Sequence, residues 1–322
     1  VVDGMATILS KEQLNLLENI LTQALDSYEV IPSISEEEQQ AKANAELLQA
    51  YLSAKKIEGC SEKTIGYYQS TIDTLFVAVC KPVCDVTTND IRNYLSGYQE
   101  QRKVSRVTID NMRRIFSSFF AWLEDEDFIV KSPVRRIHRV RTESLVKEVL
   151  TDENMEVLRD SCQEIRDIAM IDLLASTGMR VGELVNLNRE DIDFHERQCV
   201  VFGKGNKERE VYFNARTKIH LQNYLSSRTD DNPALFVSLS NPHSRLSISG
   251  VEVRLRTLGR KVNIAKVHPH KFRRTLATMA IDKGMPIEQV QRLLGHVKID
   301  TTLHYAMVNQ NNVKMAHRKY IG

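Results

Sequence analysis

The sequence predicts a mainly α-helical protein with a small antiparallel β-sheet, organised as two domains. Three observations lead there. The chain has 322 residues, 42% hydrophobic and 27% charged, with a net charge of +2, a composition that supports buried cores and excludes a disordered chain. Apolar residues recur at three- and four-residue spacing through much of both halves. In the second half, two strand-like stretches, 198–203 (QCVVFG) and 209–213 (REVYF), flank the glycine-containing turn GKGNKE.

Residues 1–40 read as an amphipathic helix and an acidic linker. Leu14, Leu17, Ile20, Leu21 and Leu25 share a helical face, Ser10 is the expected N-cap, and 31–38 is loop-like. Residues 41–130 then form a helical bundle. Its first helix runs over 41–57. Ser61 caps the second, with Thr64, Ile65, Tyr68, Ile72, Leu75 and Phe76 on its apolar face, and Thr88 precedes the third. Ser105 opens the fourth, where Ile109, Met112, Ile115, Phe116, Phe119, Phe120 and Leu123 make a continuous stripe, and Trp122 with the phenylalanines reads as core packing. Lys131-Ser132-Pro133 ends the bundle, because proline and the residue before it resist helix. Residues 131–149 are basic without clear periodicity, as suits an interdomain linker on a phosphate backbone.

The second domain spans 150–322. Thr151 caps its first helix, and 164–177 is a buried helix ended by Gly178. After the hairpin come helices at about 215–227, 248–263, 270–283 and 286–294, the last set between Pro286 and Gly295 in the usual proline-first, glycine-last order. A tail follows with Val308, Val313, Met315 and Ile321 spaced between basic residues.

The small net charge hides an asymmetry. Residues 1–43 carry eight acidic side chains against two lysines, which leaves the remainder at about +8. A dense basic run, 254–274, includes Arg254, Arg256, Lys271 and Arg274 and suggests a polyanion partner, although such a run by itself also fits a solvated face. The five cysteines are scattered, with no paired Cys-x-x-Cys and no matching histidines, so reduced core thiols are expected and a zinc site is not. No apolar run reaches the roughly 18 residues that span a bilayer, and no signal-peptide pattern opens the chain. The expected location is the cytoplasm.

Four segments of the second domain carry chemistry. TGMRVGEL (177–184) spaces Arg180 and Glu183 three apart, so the carboxylate can orient the guanidinium. GKGNKER (203–209) sets Lys204 at a hairpin tip. HPHKFRRT (268–275) starts a helix with His270 and Arg273 one turn apart, and LLGHVKIDTTLHYA (293–306) places His296 just past a helix end and Tyr305 on the next turn, with Asp300 or Thr301 as its cap. Two arginines can clamp the non-bridging oxygens of a phosphodiester and stabilise the added transition-state charge. A tyrosine hydroxyl can attack phosphorus, histidines can bind the phosphate or move a proton, and a lysine can protonate a departing oxygen. This chemistry calls for no metal and no cofactor. GKG lacks the spacing and the Ser or Thr of a nucleotide-binding phosphate loop. Each residue alone also has a plain structural explanation, as an ion pair, a turn or a packed side chain.

In this order the four segments resemble the catalytic domain of the tyrosine recombinase and integrase family, especially its Xer-like and transposon-borne members. The gaps of 24 residues from Arg180 to Lys204, 26 from His270 to His296 and 9 from His296 to Tyr305 fit that family, and the 41–128 bundle is similar to its SAM-like core-binding domain. The resemblance implies a two-domain DNA clamp. In it Tyr305 is the nucleophile, Arg180, Arg273 and His296 contact the scissile phosphate, His270 assists, Lys204 is the general acid and Glu183 supports the site. It also implies phosphate contacts from Arg135, Arg136, Arg139, Arg141, Lys207, Arg254, Arg256, Lys271 and Arg274. The implied partner is double-stranded DNA with inverted-repeat core sites, bound by a homotetramer on two sites, with the tail docked on a neighbouring protomer. The outcome would be integration, excision, resolution or inversion of DNA. Two alternatives stay open at this point: relaxation of DNA by a type IB topoisomerase-like enzyme, and a non-catalytic DNA-binding regulator.

Overall fold

A helix stripe needs a partner surface, and the helices of the first half supply one. The computed structural model describes residues 9–25, 35–141, 148–203, 208–296, 298–299 and 302–303. The chain divides into two compact units, Val1–Ser144 and Leu145–Gly322.

In the first unit α1 (Lys11–Leu25) is opened by Ser10, whose hydroxyl accepts from the Gln13 N–H while Gln13 accepts from the Ser10 N–H. Leu14, Leu17 and Leu21 are half-buried, but Ile20 is exposed, so its face is narrower than the expected one. The next helix, α2 (Glu36–Ile57), begins five residues before the expected start at 41. Ser35 and Glu38 form a capping box there, and the helix dipole favours the negative charge of Glu38 near that end. α3 (Glu62–Val79) is capped by Ser61 and α5 (Arg106–Asp125) by Ser105. α4 (Thr88–Arg102) is capped by Thr87, one residue before the expected position.

All seven stripe residues of α5 are buried, and Phe116, Phe119 and Phe120 are wholly enclosed with Tyr51, Ile72, Leu75 and Ile91. Truncating one of these phenylalanines to alanine would cost about 3–5 kcal/mol. The expected linker joins this core through residue 140. Val134 is buried, Ile137 and Val140 pack beside it, and the Val140 N–H donates to the buried Asp110 at 3.1 Å. Their three-residue spacing is what pins the segment, while Arg135, Arg136, Arg139 and Arg141 between and beyond them are exposed. Cys80 and Cys84 are also exposed, which corrects the expectation of core thiols at those two positions.

The second unit comprises α6 (Asp152–Asp160), α7 (Ile165–Thr177), α8 (Val181–Asn186), strands β1 (Ile192–Asp193), β2 (Gln198–Phe202) and β3 (Glu208–Tyr212), then α9 (Ala215–Ser226), α10 (Ile248–Lys261), α11 (Pro269–Asp282) and α12 (Ile287–Leu294). The sheet is antiparallel in the order β1-β2-β3, with Val201 opposite Arg209 and Cys199 opposite Val211. Strand alternation buries Cys199, Val201 and Val211 and leaves Val200, Phe202 and Tyr212 exposed. α7 lies at the centre of the core against α9 and α11. Its wholly buried Asp167 pairs with Arg166 and, at 2.5 Å, with Arg254. Among the described residues no helix is long and apolar enough to cross a membrane.

Candidate active site

The end of α7 begins the site. Gly178 caps that helix at φ +60°, a conformation other residues rarely take, and the following turn makes Arg180 the N-cap of α8. Glu183 faces it three residues on. One Glu183 oxygen accepts the Arg180 N–H at 2.7 Å and the other accepts Arg180 Nη1 at 2.9 Å. β3 brings a second guanidinium. Arg209 lies on the same side of its strand as buried Val211 and donates Nη1 and Nη2 to the two oxygens of Glu183, both at 2.6 Å. Burial opposes ionisation of Glu183, but the hydrogen bonds from Arg209 and Arg180 outweigh it and hold its carboxyl below the usual range.

The end of α12 closes the site from the other side. Gly295 caps it at φ +65°, and three successive carbonyls there accept from three arginines. Arg209 Nε reaches Leu293 O at 3.4 Å, Arg273 Nη2 reaches Leu294 O at 2.5 Å and Arg180 Nη2 reaches Gly295 O at 3.2 Å. Helix C-termini leave carbonyls unpaired and carry partial negative charge, so cations settle there. Arg273, buried one turn into α11, also donates Nη1 to Gly178 O at 2.7 Å. The arginines of α8, β3 and α11 are thus tied to two helix ends.

His296 follows directly. Its backbone exchanges hydrogen bonds with Gln291, and its Nδ1 lies 2.8 Å from the hydroxyl of the fully buried Thr302. Burial, then the charges of Arg273, Arg180 and Arg209, push its pKa down to about 4. His270, on the first turn of α11, is lowered by burial and by Arg273, Arg180 and Arg274. Both imidazoles are therefore neutral near pH 7.

Arg180, Glu183, His270, Arg273 and His296 accordingly meet in one region of the second unit. Lys204, Lys207 and Tyr305, with Asp300 and Thr301, lie outside the described residues. Of the expected phosphate contacts, Arg256 is exposed and Arg274 is half-buried. Lys271 is buried, with its ammonium on Ala265 O at 2.9 Å, and Arg254, 31% exposed in its side chain, is paired with Asp167. Arg209 and Thr302 were not among the expected site residues. The two-residue period of β3, which puts Arg209 on the side of Val211, is the signal that points to the first.

Comparison with known proteins adds the lineage. Residues 148–312 match the Phage integrase family and residues 47–129 its N-terminal SAM-like domain. The chain belongs to the phage integrase family and is a tyrosine recombinase, an enzyme of site-specific DNA recombination. The tyrosine recombinase XerC of Staphylococcus aureus (strain bovine RF122 / ET3-1) is 30% identical over 284 residues, covering 84% of this chain and 94% of the relative. The crystal structure of XerA recombinase is similar at 28% identity and a TM-score of 0.50, covering 87% of this chain and 99% of that one. The fold is shared with the Tn1549 transposon integrase in complex with transposon right end DNA, at a TM-score of 0.71 and 20% identity over 86% of this chain and 99% of that one.

Proposed function

We propose that the protein cleaves and rejoins duplex DNA at inverted-repeat core sites through a 3′-phosphotyrosine on Tyr305. The observation that carries this reading is the convergence of Arg180 and Arg273 on the carbonyls of Gly295 and Leu294, beside a neutral His296. Two guanidiniums stabilise the extra negative charge as the Tyr305 oxygen attacks phosphorus, and the His296 imidazole donates a hydrogen bond to the same phosphate. The bond from phosphorus to the 5′-oxygen breaks, and Lys204 supplies the proton to that oxygen. Neutral His270 assists by binding the phosphate or accepting the tyrosine proton. Attack by a 5′-hydroxyl of another strand reverses the step and releases Tyr305. Glu183 holds Arg180 throughout.

The enzyme works in the cytoplasm, on the nucleoid, as a tetramer on two sites, and both units contact DNA phosphates. The exposed Arg135, Arg136, Arg139 and Arg141 favour this for the first unit and Arg256 for the second. Tail residues 306–322 dock on a neighbouring protomer. A groove of about 660 Å³ between β3 and α12 supports that reading, since apolar Val200, Met285 and Leu293 line it, with Glu208 and Glu210 beside Arg209 and Arg292, and the tail carries apolar residues spaced between polar ones. Domain bounds of 41–130 for core binding and 150–322 for catalysis, joined by 131–149, follow the same assignment.

A nicked suicide substrate tests the mechanism. Wild-type protein should accumulate a covalent DNA complex and Tyr305→Phe none. A covalent complex with Tyr305→Phe, or none with wild type, overturns the reading.

A further inference from the structure

Glu183 is claimed by two arginines, and the two are bound differently. Arg209 is nearly enclosed, with 12% of its side chain exposed, and each nitrogen of its guanidinium donates: Nη1 and Nη2 to the two Glu183 oxygens and Nε to Leu293 O. It is also wedged under α12, since a Cβ on Gly295 would lie 2.8 Å from Arg209 Cδ. Arg180 is 34% exposed in its side chain. It gives one Nη1 hydrogen to Glu183 and one Nη2 hydrogen to Gly295 O, so its Nε–H and one hydrogen on each Nη have no partner among the described residues.

That difference has a physical consequence. A buried carboxylate takes the best bidentate guanidinium it can reach, because an unpaired buried charge is costly. If Arg209 left both oxygens of Glu183, Arg180 would be the guanidinium still within reach. Turning to a bidentate pair, it would withdraw donors from the side on which a phosphate binds. Arg209 prevents that by occupying the carboxylate first.

We propose that Arg209 is a positioning residue: its bidentate pair with Glu183 restricts the Arg180 guanidinium to a single contact with that carboxylate and keeps its other donors available to the scissile phosphate. The proposal rests on the reading that Arg180 contacts that phosphate. Arg209 acts through Glu183 and touches no DNA. Its effect is specific to the charge on the non-bridging oxygens.

The test is single-turnover cleavage of a nicked suicide duplex by the full chain, with three scissile linkages: the normal phosphate, a methylphosphonate that removes one non-bridging charge, and a 5′-bridging sulfur whose departure needs no general acid. Arg209→Lys keeps the charge but loses the fork, and Arg209→Gln loses both. On the normal phosphate both variants should cleave about 10²-fold more slowly than wild type, the loss typical of one misplaced oxyanion donor. DNA affinity should stay within about threefold, because only the Arg180 contact, one phosphate contact among many, is weakened. On the methylphosphonate the gap to wild type should close to about tenfold or less, and with bridging sulfur it should stay as on the normal phosphate. Adding Glu183→Gln to Arg209→Lys should recover part of the loss, because the carboxylate that captures Arg180 is then gone. An equal defect on all three linkages shows that Arg209 merely holds the fold and overturns the proposal. Rescue by sulfur overturns it in favour of action through the hairpin that carries Lys204. Arg209→Lys carries the test if Arg209→Gln does not fold. Arg180→Ala tests the underlying reading separately: wild-type cleavage of the normal phosphate by that variant would refute the role of Arg180 itself.

Discussion

The hydroxyl of Thr302 lies 2.8 Å from Nδ1 of His296, fully buried and three residues before Tyr305. A neutral imidazole has one N–H, and a hydroxyl donating to Nδ1 puts it on Nε2. Thr302→Val keeps the shape and removes the donor. Single-turnover cleavage should then fall about tenfold, with Thr302→Ser near wild type, and nitrogen NMR should show the His296 tautomer no longer fixed. Unchanged cleavage by Thr302→Val would refute this role for the hydroxyl.

His296 also makes stability depend on pH. Its pKa falls from 6.5 in the unfolded chain to about 4 in the folded one, through burial and then Arg273, Arg180 and Arg209. Below pH 6.5 the unfolded chain takes up the proton first, so the stabilisation is complete above pH 6.5 and drains away as pH drops toward 4. Allowing for solvent screening of a half-buried ring, the loss is on the order of 2 kcal/mol. Urea midpoints at pH 7.5 and 5 should differ more for wild type than for His296→Asn. His270 and His268, also lowered by burial first, add to the slope in the same direction and remain in that variant.

Gly178→Ala should injure the fold and the site together. A Cβ there would sit 2.7 Å from Leu276 Cδ2 and 3.2 Å from Leu294 Cδ2, at φ +60°, on the residue whose carbonyl holds Arg273. Chemical denaturation should record a loss of about 1–3 kcal/mol, and cleavage should fall beyond what the folded fraction explains.

Lys271 and Arg256 should separate cleanly in DNA binding. Arg256→Ala removes an exposed charge and should lower the salt slope of affinity by about one. Lys271→Met, at a buried ammonium held by Ala265 O, should leave that slope unchanged and alter the melting temperature instead. A reversed pattern in salt titrations would return Lys271 to the DNA-facing set.

Periodicity made the bundle readable in advance. The α5 stripe from Ile109 to Leu123 and the caps at Ser61, Ser105 and Thr151 need only local spacing, and the structure has them. Ser35 was masked by the acidic residues after it, although Ser35 and Glu38 have capping-box spacing. Val134, Ile137 and Val140 are only three apolar positions among arginines, so their attachment to α5 depends on a buried Asp110 that no local pattern reveals. In the site, motif order pointed to Arg180, Arg273 and His296. The order could not show that Lys271 turns inward, nor that Arg209 reaches Glu183 from 26 positions away, since both depend on how helices and strand pack.

The three arginines at the end of α12 tie folding to ligand capture. Arg180, Arg209 and Arg273 sit close enough that their charges add to burial in lowering the pKa of the histidine beside them. Their mutual repulsion is an electrostatic load that Glu183 and the helix-end carbonyls offset. Whatever anion enters relieves that load, and relief adds to the affinity by mass action. A phosphate held there thereby becomes a structural element of the second unit, and its capture adds to the stability of the fold.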